Sequence, residues 1–211
     1  MKLLFLFINL LCNYVSLIHL THMAFGFFKK KKDSDAEKKP LDYDPLNIKL
    51  KDLHAGFVFD FDFKTWEVLE EYEYDWGDYM FSKGLKIQAD TDIKYLTLSN
   101  TPQGLEVVCT SSLKLSEVGT NIGRIILAEG KPPARIDFQG KIYYRERESP
   151  GFFRNVATTS REESIEFMSW DYYDESGIYL ISIEQWDEED FEASVGQLYQ
   201  EYDFTSILPS A

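Results

Sequence analysis

A mainly β chain, with antiparallel sheets in a barrel- or sandwich-like arrangement and at most short helices, is what this sequence predicts. Apolar and polar residues alternate with period two through much of the body, as in Phe57-Val-Phe-Asp-Phe-Asp-Phe, with phenylalanines at 57, 59, 61 and 63. That period marks a strand with one buried face. Clusters such as Asn100-Thr-Pro-Gln-Gly and Asp174-Glu-Ser-Gly punctuate the runs at short intervals, which is how turns between short strands read. Hydrophobic residues at 44% and aromatics at 16% supply the apolar surface for a core, so the body is expected to fold.

Residues 46–53 alternate apolar and polar positions and lead into the phenylalanine run. Thr65 onward continues the β pattern, with Trp66, Val68, Tyr72 and Tyr74 spaced by twos until Asp75-Trp-Gly-Asp. Leu85-Lys-Ile-Gln, Lys94-Tyr-Leu-Thr-Leu-Ser and residues 105–109 follow as strands, and residues 111–129 hold a short helix stopped by Lys131-Pro-Pro. Ala134-Arg-Ile-Asp-Phe and Lys141-Ile-Tyr-Tyr-Arg-Glu-Arg flank Gln139-Gly140, a tight-turn signal. Residues 164–173 and 178–184 form a hairpin around Asp174-Glu-Ser-Gly. Residues 187–196 read as an acidic loop with a helical turn. The likeness of residues 94–99 to 178–182 suggests two related β-units, split near residue 130. Trp66 and Trp170 sit in strand-like runs and are expected to be buried. Tyr172 and Tyr173 are adjacent, so they face opposite sides of a strand and one is expected at the surface.

The formal charge is −14. Residues 1–40 carry seven Lys against three Asp and Glu, a local +4, which leaves −18 on residues 41–211. An acidic body repels phosphate backbones, which excludes nucleic acid as its ligand. It favours a basic protein surface or a polyamine-like cation as partner. Cys12 and Cys109 are the only cysteines, so a disulfide framework is excluded and a reducing, cytoplasmic compartment fits. Cys109 lies in an apolar run and reads as a buried small hydrophobe.

The first forty residues form a basic extension and linker ahead of a domain starting near Leu41. The apolar run at 3–20 has the length of a marginal membrane segment, although Asn9, Asn13, Ser16 and His19 interrupt it. Equally, Met23 opens a compact start, MAFGFFKKKK, which makes residues 1–22 an extension from a misjudged start codon. Phe25, Phe27 and Phe28 with Lys29, Lys30, Lys31 and Lys32 would then give peripheral contact with an anionic membrane. Residues 29–40 read as a charged linker.

Chemistry is sparse. His54 is the one histidine of the body and has no second His or paired Cys with which to build a zinc site or a nucleophile-base pair. No phosphate-binding glycine loop, serine elbow or metalloprotease motif occurs. No catalytic residue, metal site or cofactor is assigned. Acidic runs at 70–75 and 187–190 lack calcium-loop spacing and read as solvated faces. The candidate binding residues are Tyr172, Tyr173 and Trp186 with Asp187, Glu188, Glu189 and Asp190. Aromatic rings among carboxylates suit a cation or a basic hot spot.

The run Trp170-Asp-Tyr-Tyr-Asp-Glu-Ser-Gly, then Tyr179-Leu-Ile-Ser-Ile-Glu-Gln-Trp, then Phe191-Glu-Ala-Ser-Val-Gly, resembles the bacterial and archaeal family known as domain of unknown function DUF4178. The resemblance covers mainly residues 130–209. The first half matches more loosely, through Lys51-Asp-Leu-His-Ala-Gly and Glu73-Tyr-Asp-Trp-Gly. It implies an all-β domain without assigned activity, linked to membrane-stress or polyamine-related systems. The expected function is that of a non-enzymatic interaction or accessory domain. The alternatives are a small-ligand or cation binder and a hydrolase using scattered carboxylates.

Overall fold

A computed structural model describes residues 43–209. The readings of the apolar run at 3–20, the start at Met23 and the Phe25–Lys32 membrane contact lie outside these residues. Eleven strands and two short helices follow in the order β1 (Val58–Phe61), β2 (Lys64–Asp75), β3 (Phe81–Ala89), β4 (Asp92–Thr101), β5 (Gly104–Leu113), α1 (Leu115–Val118), α2 (Ile122–Glu129), β6 (Arg135–Phe138), β7 (Lys141–Asn155), β8 (Ile165–Asp174), β9 (Tyr179–Gln185), β10 (Phe191–Tyr199) and β11 (Thr205–Leu208). All strand pairings are antiparallel. The expected mainly β fold with short helices is what the chain adopts, and of the two arrangements it is the barrel.

The strands form two meanders, β1 to β5 and β6 to β10, each made of hairpins between chain neighbours. β5 pairs with β10, which joins the meanders into one sheet. Residues 72–75 of β2 then pair with residues 152–155 of β7, closing eight strands into a ring along part of its length. Both seam strands fork. The first residues of β2 pair instead with β1, and the first residues of β7 with β6. Side chains stitch the seam: Glu73 accepts hydrogen bonds from Arg154 and Arg161, at 2.9 and 2.8 Å, and Glu70 accepts one from Asn155 at 2.9 Å.

The apolar faces of the strands point away from the ring's interior. Leu85, Ile87, Leu96, Leu98, Val107 and Cys109 pack with Trp66 and Val68 under β1 and the segment holding Leu50 and Leu53. Phe204 seals this first core by stacking on Phe61 at 4.4 Å. A second core joins Trp170, Tyr172, Ile181 and Ile183 to Ile122 and Ile126 of α2 and to Ile136 and Phe138 of β6. The barrel is therefore coated outside by two apolar layers, and its polar alternate positions are turned inward.

Trp66 and Trp170 are each 1% exposed, as expected. Trp66 Nε1 donates to the Phe61 carbonyl at 2.9 Å, whereas Trp170 Nε1 is buried without an acceptor. Replacing either by Ala should cost about 3–5 kcal/mol by opening a cavity in its core. Urea unfolding checks this, and an unchanged midpoint would refute it.

Four expectations are corrected. Phe63 does not extend the buried row: Asp62 and Phe63 have φ of 50° and 60° and form the two-residue turn between β1 and β2, which leaves Phe63 fully exposed. Residues 50–52 form a single 3-10 turn instead of part of a strand. Most of the supposed loop at 187–196 is strand β10, and only residues 187–190 turn. Tyr172 and Tyr173 are both buried, at 0% and 6% exposure, because β8 has the second core on one face and the barrel interior on the other. Cys109 is buried as expected, and burial pushes its thiol up to about 12.

Candidate functional site

The inward residues enclose a cavity of about 880 Å³. On one side it is walled by hydroxyls from β4, β5, β8, β9 and β10, among them Thr97, Thr110, Ser169, Ser182 and Ser194. Period-two alternation places them there: Ser169 and Asp171 alternate with Trp170 and Tyr172 on β8, and Ser182 and Glu184 alternate with Ile181 and Ile183 on β9.

Much of the remaining lining is aromatic. Tyr74 stacks on Trp76 at 5.7 Å with planes 6° apart, and Phe167 stacks on Trp186 at 4.7 Å and 19°. Phe153 bridges them, 5.2 Å from Tyr74 and 5.1 Å from Trp186. Two glycines make room for these rings. A Cβ on Gly84 would stand 2.7 Å from Tyr74 Cε2, and one on Gly151 would stand 3.0 Å from both Phe167 and Trp76.

Carboxylates project between the walls. Asp171 accepts hydrogen bonds from Ser182 at 2.7 Å and Ser169 at 3.3 Å, and burial still raises its carboxyl above the ordinary range. Glu106 is paired with Arg147 at 3.2 Å, and the Arg147 guanidinium lies 5.5 Å over the Tyr173 ring. Glu184 is different. It stands directly opposite Glu192 on β10 and opposite Ser169 on β8. It touches the cavity, yet its carboxyl is deeply desolvated, and burial, with Asp171 and Glu192 adding to it, pushes it up to about 8. Tyr74 responds to the same charges: burial first, then Glu184, holds its phenol well above the ordinary value.

The residues expected at a site are dispersed. Tyr173 and Trp186 line the cavity, and Asp190 sits at its edge. Asp187, Glu188 and Glu189 lie in the exposed turn between β9 and β10. Tyr172 faces the other way, into the second core, and its hydroxyl donates to the Pro133 carbonyl at 2.7 Å. Asp171, Glu184 and Glu192 were missed. Their signal was polar alternation opposite an apolar face, which in an open sheet means solvent and in a closed ring means the interior. His54 is placed outside the cavity lining, its Nδ1 2.9 Å from Glu71 Oε2. Among the described residues no group of three or more His, Cys, Asp or Glu could hold a metal ion, and no helix is long and apolar enough to cross a membrane.

A family model described as "Domain of unknown function (DUF4178)" matches residues 54–201, which takes in most of the first half as well as the second. An uncharacterised protein of Aquifex aeolicus is 27% identical over 186 residues, covering 87% of this chain and 99% of that protein. No solved structure matches.

Proposed function

We propose that this chain, which belongs to the DUF4178 family, is a non-enzymatic accessory protein that holds a small organic molecule inside its barrel. The cavity carries this reading. About 880 Å³ bounded by hydroxyls, carboxylates and stacked rings falls in the range of about 300–1,000 Å³ that ligand pockets occupy. Eight-stranded barrels are also the size at which the interior holds either packed side chains or one small ligand. Here the outer layers take over the role of core, which frees the interior for a guest.

Protein purified from its native host and then denatured should release a small molecule detectable by mass spectrometry. The variant Ser194→Phe, which fills the lumen from β10, should retain at least ~10-fold less while keeping its β circular dichroism. Equal release from the two folded proteins, or none from either, would overturn the reading.

One observation favours a hydrolase as the second reading. Glu184 and Asp171 line the same cavity and burial raises both carboxyls, and a raised carboxyl beside a second one is the kind of group that serves acid catalysis. Consumption of the released molecule by the wild-type protein, and not by Glu184→Gln, would decide for it.

A further inference from the structure

We propose that the guest is an organic ammonium ion, its cationic nitrogen held between Glu184 and Glu192 and its apolar arm laid against Trp186 and Phe167. This rests on the reading of the barrel as a ligand binder and names the ligand class.

Two of the five carboxylates that line the cavity, and Glu70 at the seam, are already supplied with donors. Glu70 accepts from Lys86 and Asn155, Glu106 from Arg147, and Asp171 from two serines. Among the described residues, Glu184 and Glu192 have neither a hydrogen-bond nor an ion-pair partner. Their register sets them face to face, Glu184 partly buried and Glu192 exposed. Directly opposed residues of an antiparallel pair hold their Cβ atoms about 4.5–5.5 Å apart, and like charges placed so repel. A single ammonium, with up to three N–H donors, bridges two carboxylates at that separation and removes the repulsion.

The aromatic wall fixes the rest of the ligand. Trp186 follows Glu184 by two residues, and Phe167 precedes by two the Ser169 that opposes Glu184. The stacked Phe167 and Trp186 rings thus begin one step from the carboxylates, so a short arm reaches from one to the other. Indole and phenyl faces attract both the arm and the cation. Trp186 Nε1 is itself buried without an acceptor. A bare divalent metal fits less well, because no third ligating side chain stands with the two glutamates among the described residues.

Carboxylates and neutral phenols surround Glu184 from several strands. Asp171 faces Glu184 from β8, Glu192 from β10, and the phenols of Tyr72, Tyr74 and Tyr95 from β2 and β4. The cations near them are already paired, Arg147 of β7 with Glu106 of β5 and Lys86 of β3 with Glu70 of β2. An empty barrel at neutral pH keeps Glu184 protonated. Capture of an ammonium then releases that proton, and affinity rises as the pH is brought up towards 8.

Titration calorimetry of the full chain with 2-phenylethylammonium, hexylammonium and the neutral 2-phenylethanol tests this at pH 6, 7 and 8. At least one amine should bind ~10-fold or more tightly than the alcohol, with affinity increasing with pH and protons released to the buffer. The variant E184Q should lose ~10-fold for that amine and keep its affinity for the alcohol. Equal binding of amine and alcohol, or an E184Q variant that binds the amine as the wild type does, overturns the ammonium assignment and leaves the barrel a binder. Failure of all three probes overturns the assignment, and only the additional absence of any co-purified molecule would overturn the binder reading as well.

Discussion

Gly196→Ala should cost the domain about 3 kcal/mol or more, at the upper end of what overpacking does. Gly196 lies on β10 opposite Thr110 of β5. A Cβ there would stand 2.7 Å from Thr110 Cα and 2.8 Å from the Cys109 carbonyl carbon, and closer still to the Cys109 carbonyl oxygen. All three atoms are backbone, so no side chain can turn aside and β5 as a whole must move. That movement strikes the seven-residue pairing that joins the two meanders. Gly123 in α2 is the control. A Cβ there meets Leu115 and Phe191 at 3.5 and 3.6 Å, an ordinary contact, and Ala in a helix is favoured over Gly by about 1 kcal/mol. Urea midpoints should fall sharply for Gly196→Ala and rise slightly for Gly123→Ala. A Gly196→Ala midpoint within error of wild type would show that β5 and β10 do not approach as described.

The second large effect is expected from Glu184→Gln, and it depends on pH. The unfolded carboxyl titrates near 4.5, whereas burial pushes the folded one up to about 8. Between those values the folded chain holds a proton that the unfolded chain has lost. Stability therefore falls as pH rises from about 5 to 8 and levels off above the folded value. Each pH unit separating the two titrations is worth about 1.4 kcal/mol, and contact with cavity water brings the expected total to about 2–4 kcal/mol. Gln imitates the protonated carboxyl and does not titrate. The variant should match wild type near pH 5 and exceed it by about 2 kcal/mol or more at pH 8. Asp171, also raised by burial, leaves a slope of the same sign in the variant. Lowered carboxyls such as Glu70, Glu73 and Asp92 act in the opposite sense and at more acid pH. Urea unfolding at four pH values measures this, and parallel profiles for the two proteins would reject the assignment.

The strands were legible where a residue's fate depends on its neighbours in the chain. Gln139 and Gly140, both at positive φ, turn β6 into β7, and Gly177 closes the hairpin of β8 and β9. The buried tryptophans were readable from alternation alone. Features set by distant strands were not. Gly196 reads as an interruption in an acidic stretch, and only the approach of β5, more than eighty residues earlier, makes it a strand residue. Pro150 and Gly151 look like an end to β7, yet the strand runs on to Asn155 because β8 and the seam hold it on both sides. The site was hidden for the same reason. Whether Ser169, Asp171, Ser182 and Glu184 face water or a cavity is decided by the pairing of residues 72–75 with 152–155, and no local pattern announces it.

The seam has a kinetic consequence. Each meander pairs strands that are neighbours in the chain, so its hairpins close short loops and form early. The two joins between meanders bring together residues about eighty positions apart, as Glu73 and Arg154 are, and each waits on a slower, entropically dearer closure. Of the two, the β5–β10 join is longer and has the larger reward in backbone pairs, so it precedes the four-residue seam. The ring is thus completed by its shortest ladder. Only four residues on each strand, 72–75 and 152–155, make that last ladder, and the side chains of Glu73, Arg154 and Arg161 reinforce it.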